Sequence, residues 1–362
     1  MDNQDKVIEG LTQISSTLLD EVINLKASNN SLTETVNKQK ELINVLLENQ
    51  KSLIGEIEYI KNNNITLDKL ISRSVNNIPY ELGNGIIPVP KVASFEETIA
   101  KLTSSRVSMS RFGDGEFSLM LGFCRQKFQK FDEKLSRLLT DVFNSHDDNF
   151  MIAIADNYSA LDKYDENYRK DIRFYMTEET RIAHNKLLDL NRQYDNAYIS
   201  YCYQMSRNED SDRVAYMYDK IKSIWQDRDV IIVEGKYSRI GVGNNLLENA
   251  RSIKRILCPP EHAFDKYKEI LDNSIKLGAE ASDPIFLLFL GPTASALAYD
   301  IYKAGFQALD LGHIDIDYEL YTKGTKDRSC ITNKHINNYN NIEAIIDVTD
   351  STYLNQVVME ID

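Results

Sequence analysis

The stretch DVIIVEGKYSRIGVGNN, Asp229 to Asn245, decides how this chain folds. Its first seven residues are a short β-branched apolar run closed by a glycine, the pattern of a strand buried on both faces. A glycine-bearing loop, SRIGVGNN, follows. Working outward, NLLENARSI reads as a helix and RILCPP as a second strand stopped by Pro259 and Pro260. AFDKYKEILDNSIKLG reads as a helix ending at Gly278, and PIFLLFLG as a third strand. PTASALAYDIYKAG is a helix with Pro292 near its first turn and Gly305 at its end. QALDLGHIDIDYEL reads as a fourth strand running into a polar end. Strand and helix alternate with short connections, which predicts an α/β fold with a mostly parallel sheet and flanking helices. Upstream, VSMSRF reads as a strand, and NFMIAIAD and NAYISYCY as two more among several helices between 130 and 222.

In parallel α/β sheets, ligands sit beyond the carboxyl ends of the strands. Four polar clusters fall there: SRFGDGEF, Glu234 to Asn245, Gly291-Pro292-Thr293, and His313 to Glu319. Asp114 and Glu116 can hold Mg²⁺ or Mn²⁺, which bind through one or two carboxylates and substrate phosphates. The flanking glycines permit close backbone approach. Asp114 reads equally well as the cap of a helix over EFSLMLG. SRIGVGNN offers backbone N–H groups at a strand end, as a phosphate site does, and also fits a plain tight turn. It is neither a P-loop nor a full G-x-G-x-x-G fingerprint. HIDIDYE alternates, so an extended backbone puts His313, Asp315, Asp317 and Glu319 on one face. That suits a further metal ligand or a general base, or else a solvated strand edge. His262 and Arg207 stand alone and read as structural or surface residues.

The first sixty residues are a different object. A heptad begun at Ile8 puts Ile8, Val22, Val36, Ile43 and Ile57 at a, and Leu11, Leu18, Leu25, Leu32, Leu46, Leu53 and Ile60 at d. Twelve of sixteen such positions are apolar over eight heptads, and Asn29 occupies one a position. The pattern predicts a coiled coil, and β-branched a with leucine d favours a parallel homodimer. The alternative is a long helix packed on its own domain. The expected organisation is a coiled-coil segment at 1–75, a linker at 76–92, a catalytic domain at 93–330 and a C-terminal extension at 331–362 packed on it.

The chain has 362 residues, 42% hydrophobic, with a formal net charge of −13. That charge does not suit nucleic acid or an anionic membrane. MDNQDKVIEG lacks the basic and apolar regions of a signal peptide, and no run is long enough to span a membrane, so a cytoplasmic protein is expected. Cys124, Cys202, Cys258 and Cys330 lie far apart and read as reduced thiols.

In this order, SRFGDGEF, IWQDRDVIIVEGKYSRIGVGNNLLENARSIKRILCP, AFDKY and LGPTASALAYDIYKAGFQALDLGHIDIDYE resemble the GT-D-type glycosyltransferase family, formerly a domain of unknown function, of bacterial protein-glycosylation and surface-polysaccharide loci. The resemblance covers about residues 90–325. It implies a Rossmann-like fold distinct from GT-A and GT-B, a nucleotide-sugar donor (generally a UDP-sugar), and a D-x-E motif with a divalent metal. Here that motif is Asp114-Gly115-Glu116, holding Mn²⁺ or Mg²⁺ on the donor pyrophosphate with Arg111 and Gly113 beside it. By the same resemblance Arg239, Gly241, Gly243, Asn244 and Thr293 line the nucleotide, and Glu234 orients that loop or touches the sugar or ribose. His313, Asp315, Asp317 and Glu319 form the opposite wall, one of the three carboxylates deprotonating the acceptor hydroxyl. The acceptor is a glycan on a protein or lipid carrier. Asn245, His262 and Leu320 stand where the family commonly has Asp, Asn and Trp, which leaves the exact sugar open. The rival readings are a non-catalytic coiled-coil scaffold for other glycosyltransferases and a metal-dependent phosphohydrolase.

Overall fold

The computed structural model describes residues 2–63, 80, 85–123, 128–207, 210–336, 345 and 348–362. Positions 76–79 and 81–84 of the expected linker, and Cys124, lie outside the described residues. The chain divides into two compact units, Met1–Asn76 and Asn77–Asp362.

The described residues of the first unit form one helix, Asp2–Asn63; positions 64–75 of the expected coiled-coil segment lie outside the described residues. The helix contains no proline, and the apolar heptad side chains described, from Ile8 to Leu53, face solvent: Leu25 is 69% exposed, Leu32 60% and Ile8 62%.

Among the described residues, the second unit is built on nine strands: β1 (Lys91–Val92), β2 (Ser108–Phe112), β3 (Phe150–Ile154), β4 (Gln193–Asn196), β5 (Asp229–Gly235), β6 (Ser252–Cys258), β7 (Pro284–Phe289), β8 (Gln307–Asp310) and β9 (Val357–Glu360). They form one sheet in the order β1-β4-β3-β2-β8-β7-β5-β6-β9, and every pairing is parallel. β5 is the spine of one half, with Val230 facing Ile253 on β6 and Ile285 on β7. Val230 through Val233 are all buried, as a strand covered on both faces requires. The helix Pro292–Lys303 packs over β2 and β8 through Ala294, Ala296, Leu297 and Ala298, whose small side chains permit close approach.

Three elements differ from the sequence expectation. NLLENARSI forms turns rather than a helix, and β6 begins at Ser252 within it. The segment is held from outside, because Asn244 Nδ2 donates to the distant Asp315. NAYISYCY is not a strand. β4 stops at Asn196, whose side chain accepts from Tyr198 N and turns the chain into a 3₁₀ helix and then a short helix over Cys202–Met205. HIDIDYEL is not the end of a strand either. β8 stops at Asp310, and Ile314–Lys323 is a helix closed by Gly324 at φ +64°. The C-terminal β9 adds a ninth strand beside β6, and Tyr353 just before it lies under the Arg255 guanidinium.

Candidate active site

The strand order reverses at the centre of the sheet. From β2 the chain moves outward through β3 and β4, crosses to β5 and β6 on the other side, and comes back inward through β7 to β8, adjacent to β2, before β9 adds beside β6. Carboxyl ends splay apart at such a switch point and leave a crevice. A cavity of about 790 Å³ lies there, lined after β2 by Arg111 to Glu116, after β4 by Ala197, Tyr198 and Tyr201, after β5 by Ser238 and Ile240, after β7 by Gly291 and Pro292, and after β8 by Gly312 and His313.

The acidic turn is organised by its own backbone. Gly113 is the cap of the helix Asp114–Met120, so Asp114 is its first residue and not its cap. Glu116 folds back so that its Oε2 accepts from Gly113 N at 2.8 Å. Burial, then the negative charges of Asp310 and Asp114, push the Glu116 carboxyl up to about 7. Asp310 itself is balanced by Arg111, whose Nε donates to the Asp310 carbonyl and Nη2 to its Oδ1, while Nη1 donates to Ser200 Oγ at 2.8 Å. Arg111 is therefore largely spent on the protein. Gly312 makes this packing possible: a Cβ there would stand 1.7 Å from Arg111 Nη2, and its φ is +49°.

His313 also faces the cavity. Its Nδ1 is 2.7 Å from Tyr201 Oη. Burial, and then the positive charges of Arg328 and Arg111, depress the imidazole to about 3, so it is neutral at physiological pH. A neutral ring can position a substrate oxygen but is a poor general base at pH 7.

The other expected wall residues do not line the cavity. On a helix, Asp315 and Glu319 share one face and Asp317 points elsewhere. Asp315 and Glu319 pair with the buried Lys334 Nζ at 2.6 and 2.8 Å. Asp315 Oδ1 also accepts from Gly241 N and Asn244 Nδ2, tying the glycine loop to this helix. Asp317, completely buried, accepts from the backbone N–H groups of Tyr203 and Gln204, from Gln204 Nε2 and from Tyr218 Oη. The extended-strand placement of these three carboxylates is thus corrected: each is bonded inside the protein.

The loop after β5 is held in the same way. Glu234, completely buried, accepts from Ile240 N at 2.8 Å and from Arg255 Nη1 at 2.6 Å. It orients the loop and does not reach the cavity. Arg239 donates to the Asn333 carbonyl, and Thr293 Oγ1 to Gln129 Oε1. Gly241, Gly243 and Asn244 lie behind the loop's cavity face, which is Ser238 and Ile240. Of the expected site residues, the cavity brings together Arg111, Gly113, Asp114, Glu116 and His313.

Sequence reasoning missed a second wall: Tyr168, Tyr175, Tyr198, Tyr201 and Arg328. The isolated signal was the density of aromatics between 158 and 203, but only the fold directs four of them into one space. Tyr201 lies in the fields of Arg328, Arg111 and Asp114 together. The aromatic wall and the acidic turn therefore face the same volume.

This arrangement defines the class of the protein. The family model described as the glycosyltransferase GT-D fold matches residues 109–339, and the chain belongs to that family. It is 30% identical over 300 residues to the glycosyltransferase GlyD of Streptococcus pneumoniae, covering 82% of this chain and 34% of that protein. It is 33% identical over 272 residues to a probable glycosyl transferase, Gly, of Streptococcus gordonii, covering 74% of this chain and 38% of the relative. The chain thus spans little more than a third of the length of these curated relatives. Among solved structures, it resembles the highly conserved domain of unknown function 1792, described as having a distinct glycosyltransferase fold, with a TM-score of 0.69, 32% identity, 80% of this chain covered and 100% of that one. It also resembles a glycosyltransferase of the same domain type from Streptococcus sanguinis, with a TM-score of 0.68 and 32% identity over 76% of this chain and 100% of that one.

Proposed function

We propose that the unit Asn77–Asp362 transfers a sugar from a nucleotide sugar, a UDP-sugar, to a hydroxyl of a glycan carried on protein or lipid. The observation that carries this reading is the Asp114-Gly115-Glu116 turn, set into the cavity at the carboxyl end of β2. Glu116 has its carboxyl raised because Asp310 and Asp114 add their charge to a buried place, so the site holds an excess of negative charge that a cation relieves. Two carboxylates on a tight turn fit Mn²⁺ or Mg²⁺, which complete their shells with water and substrate phosphates. When bound, such an ion supplies positive charge against the negative charge that develops on the diphosphate leaving group.

In the transfer, the acceptor oxygen bonds to the anomeric carbon, the bond from that carbon to the diphosphate oxygen breaks with its electron pair going to the departing UDP, and the acceptor proton passes to water. The chain's own residues bind and orient. Glu234 and Asp315 fix the loop after β5 from behind, and neutral His313 holds a substrate oxygen. Tyrosine faces suit the apolar side of a saccharide ring. No described helix is long and apolar enough to cross a membrane, and a cytoplasmic enzyme is part of the proposal. The exposed heptad residues of Asp2–Asn63 would pair with those of a second copy, giving a homodimer.

The test is turnover. The purified chain, incubated with a panel of nucleotide sugars and Mn²⁺, is expected to release UDP from one of them, slowly alone and faster with an acceptor glycan. Chelation with EDTA or an Asp114→Ala, Glu116→Ala double variant should cut release at least about 100-fold. Fast release that no acceptor accelerates would favour a phosphohydrolase, and none from any donor a scaffold.

A further inference from the structure

Arg328 is a cation of the cavity wall that makes no ion pair among the described residues. The other cations buried around the site are matched: Arg111 by Asp310, Arg255 by Glu234, and Lys334 by Asp315 and Glu319. Among the described residues, the only carboxylate charge acting on it is Asp317, which stands behind Gln204 and is not in contact, so the guanidinium keeps its charge and is open to an anion from the cavity.

The protein takes trouble to orient it. Arg328 Nε donates to Gln204 Oε1 at 2.9 Å, and Nη2 to Tyr168 Oη at 3.0 Å. Tyr168 Oη in turn donates to the same Gln204 Oε1 at 2.6 Å. Gln204 cannot flip without losing these bonds, because its Nε2 donates to Asp317 Oδ1 at 2.8 Å. Asp317, expected from sequence to be a base, is thus the buried root of a chain that runs through Gln204 to Arg328. Two edges of the guanidinium are fixed by neutral oxygens, and Nη1 makes no hydrogen bond within the described residues. A fork held by neutral partners with a donor to spare is built to take an oxyanion.

We infer that Arg328 binds a phosphate oxygen of the sugar donor's diphosphate, and that Gln204, Asp317 and Tyr168 are positioning residues that aim it. The inference rests on the nucleotide-sugar reading. It commits to the diphosphate because Arg111, the other guanidinium of the cavity, already spends its Nε, Nη1 and Nη2 on Asp310 and Ser200. Asp114 and Glu116 line the same cavity with negative charge, so a diphosphate held there draws on a cation at the acidic turn and on Arg328.

The experiment is calorimetric titration of the full chain, in Mn²⁺, with UDP, uridine and inorganic pyrophosphate. Wild type is compared with Arg328→Gln, Arg328→Lys and Tyr168→Phe, each first shown to melt as wild type does. Arg328→Gln is expected to weaken UDP and pyrophosphate about 10- to 100-fold and leave uridine unchanged. Arg328→Lys should recover part of that loss, since charge returns without the fork. Tyr168→Phe should weaken UDP by a smaller factor, with uridine again unchanged. UDP affinity equal in wild type and Arg328→Gln would overturn the inference and leave the donor reading standing. Equal loss of UDP and uridine would overturn it too, by assigning Arg328 to the cavity's shape. Failure of wild type to bind UDP or pyrophosphate would instead overturn the reading beneath it.

Discussion

Gly312 and Glu116 show at single residues how the site is set. Gly312→Ala would drive a methyl into the Arg111 guanidinium at a positive φ, so urea unfolding should show a loss of about 2–4 kcal/mol and UDP binding should fall with it. Glu116 makes a prediction about pH. Its carboxyl is raised from 4.5 to about 7 by burial and by Asp310. The native state therefore holds a proton there that the unfolded chain has released. That contribution is complete below about pH 4.5 and is lost as pH rises through 7. Without divalent metal, Glu116→Gln should then be more stable than wild type at pH 8, by on the order of 1 kcal/mol, and equal to it at pH 4. Thermal melts at the two pH values check this, and a constant difference between them would contradict it. At this scale the sequence was partly legible. Asp114, Glu116 and His313 were expected beyond the carboxyl ends of strands, and all three line the cavity there. Arg328 was not, because its meaning depends on Gln204 and Tyr168, more than a hundred residues away in the chain.

The helix Ile314–Lys323 carries the main correction at the level of elements. In HIDIDYEL, strict alternation suggests a strand, yet Asp315/Glu319 and Ile316/Leu320 also fit a helical repeat, and eight residues cannot separate the two periods. The deciding signals were glycines: Gly312 turns the chain out of β8, and Gly324 closes the helix. The helical form is paid for by Lys334, which sits between Asp315 and Glu319 and is completely buried. Lys334→Met would leave the buried Asp315 without a cation and Glu319 with Lys323 alone, and should cost about 3–5 kcal/mol, or prevent folding. Lys323, on the exposed side of Glu319, should cost under about 1 kcal/mol when changed to Ala. Similar costs for the two lysines in denaturant titrations would contradict this account. The strands β5, β6 and β7 were legible because continuous apolar runs bounded by Gly or Pro have few other readings. The turns after β5 were not, since long-range bonds to Asp315 hold them.

For the whole molecule, the alternation of elements was enough to expect a parallel sheet, while the order β1-β4-β3-β2-β8-β7-β5-β6-β9 was not readable. That order depends on which crossover packs where, and it is what puts β2 beside β8 and creates the cavity. The N-terminal helix belongs to a separate unit. Deleting residues 1–76 should convert a dimer to a monomer in sedimentation and leave the melting of the remaining unit within about 2 °C, because that unit has its own core. A wild-type chain that sediments as a monomer would remove the dimer proposal and leave the enzyme untouched. The central claim is that the acidic turn of this family member is a working donor site. Its most direct test is the affinity of the full chain for UDP, measured by calorimetry with and without Mn²⁺, beside the Asp114→Ala, Glu116→Ala double variant. The account predicts binding that Mn²⁺ strengthens at least about tenfold and that the variant loses; UDP binding equal in both proteins, and indifferent to Mn²⁺, would contradict it.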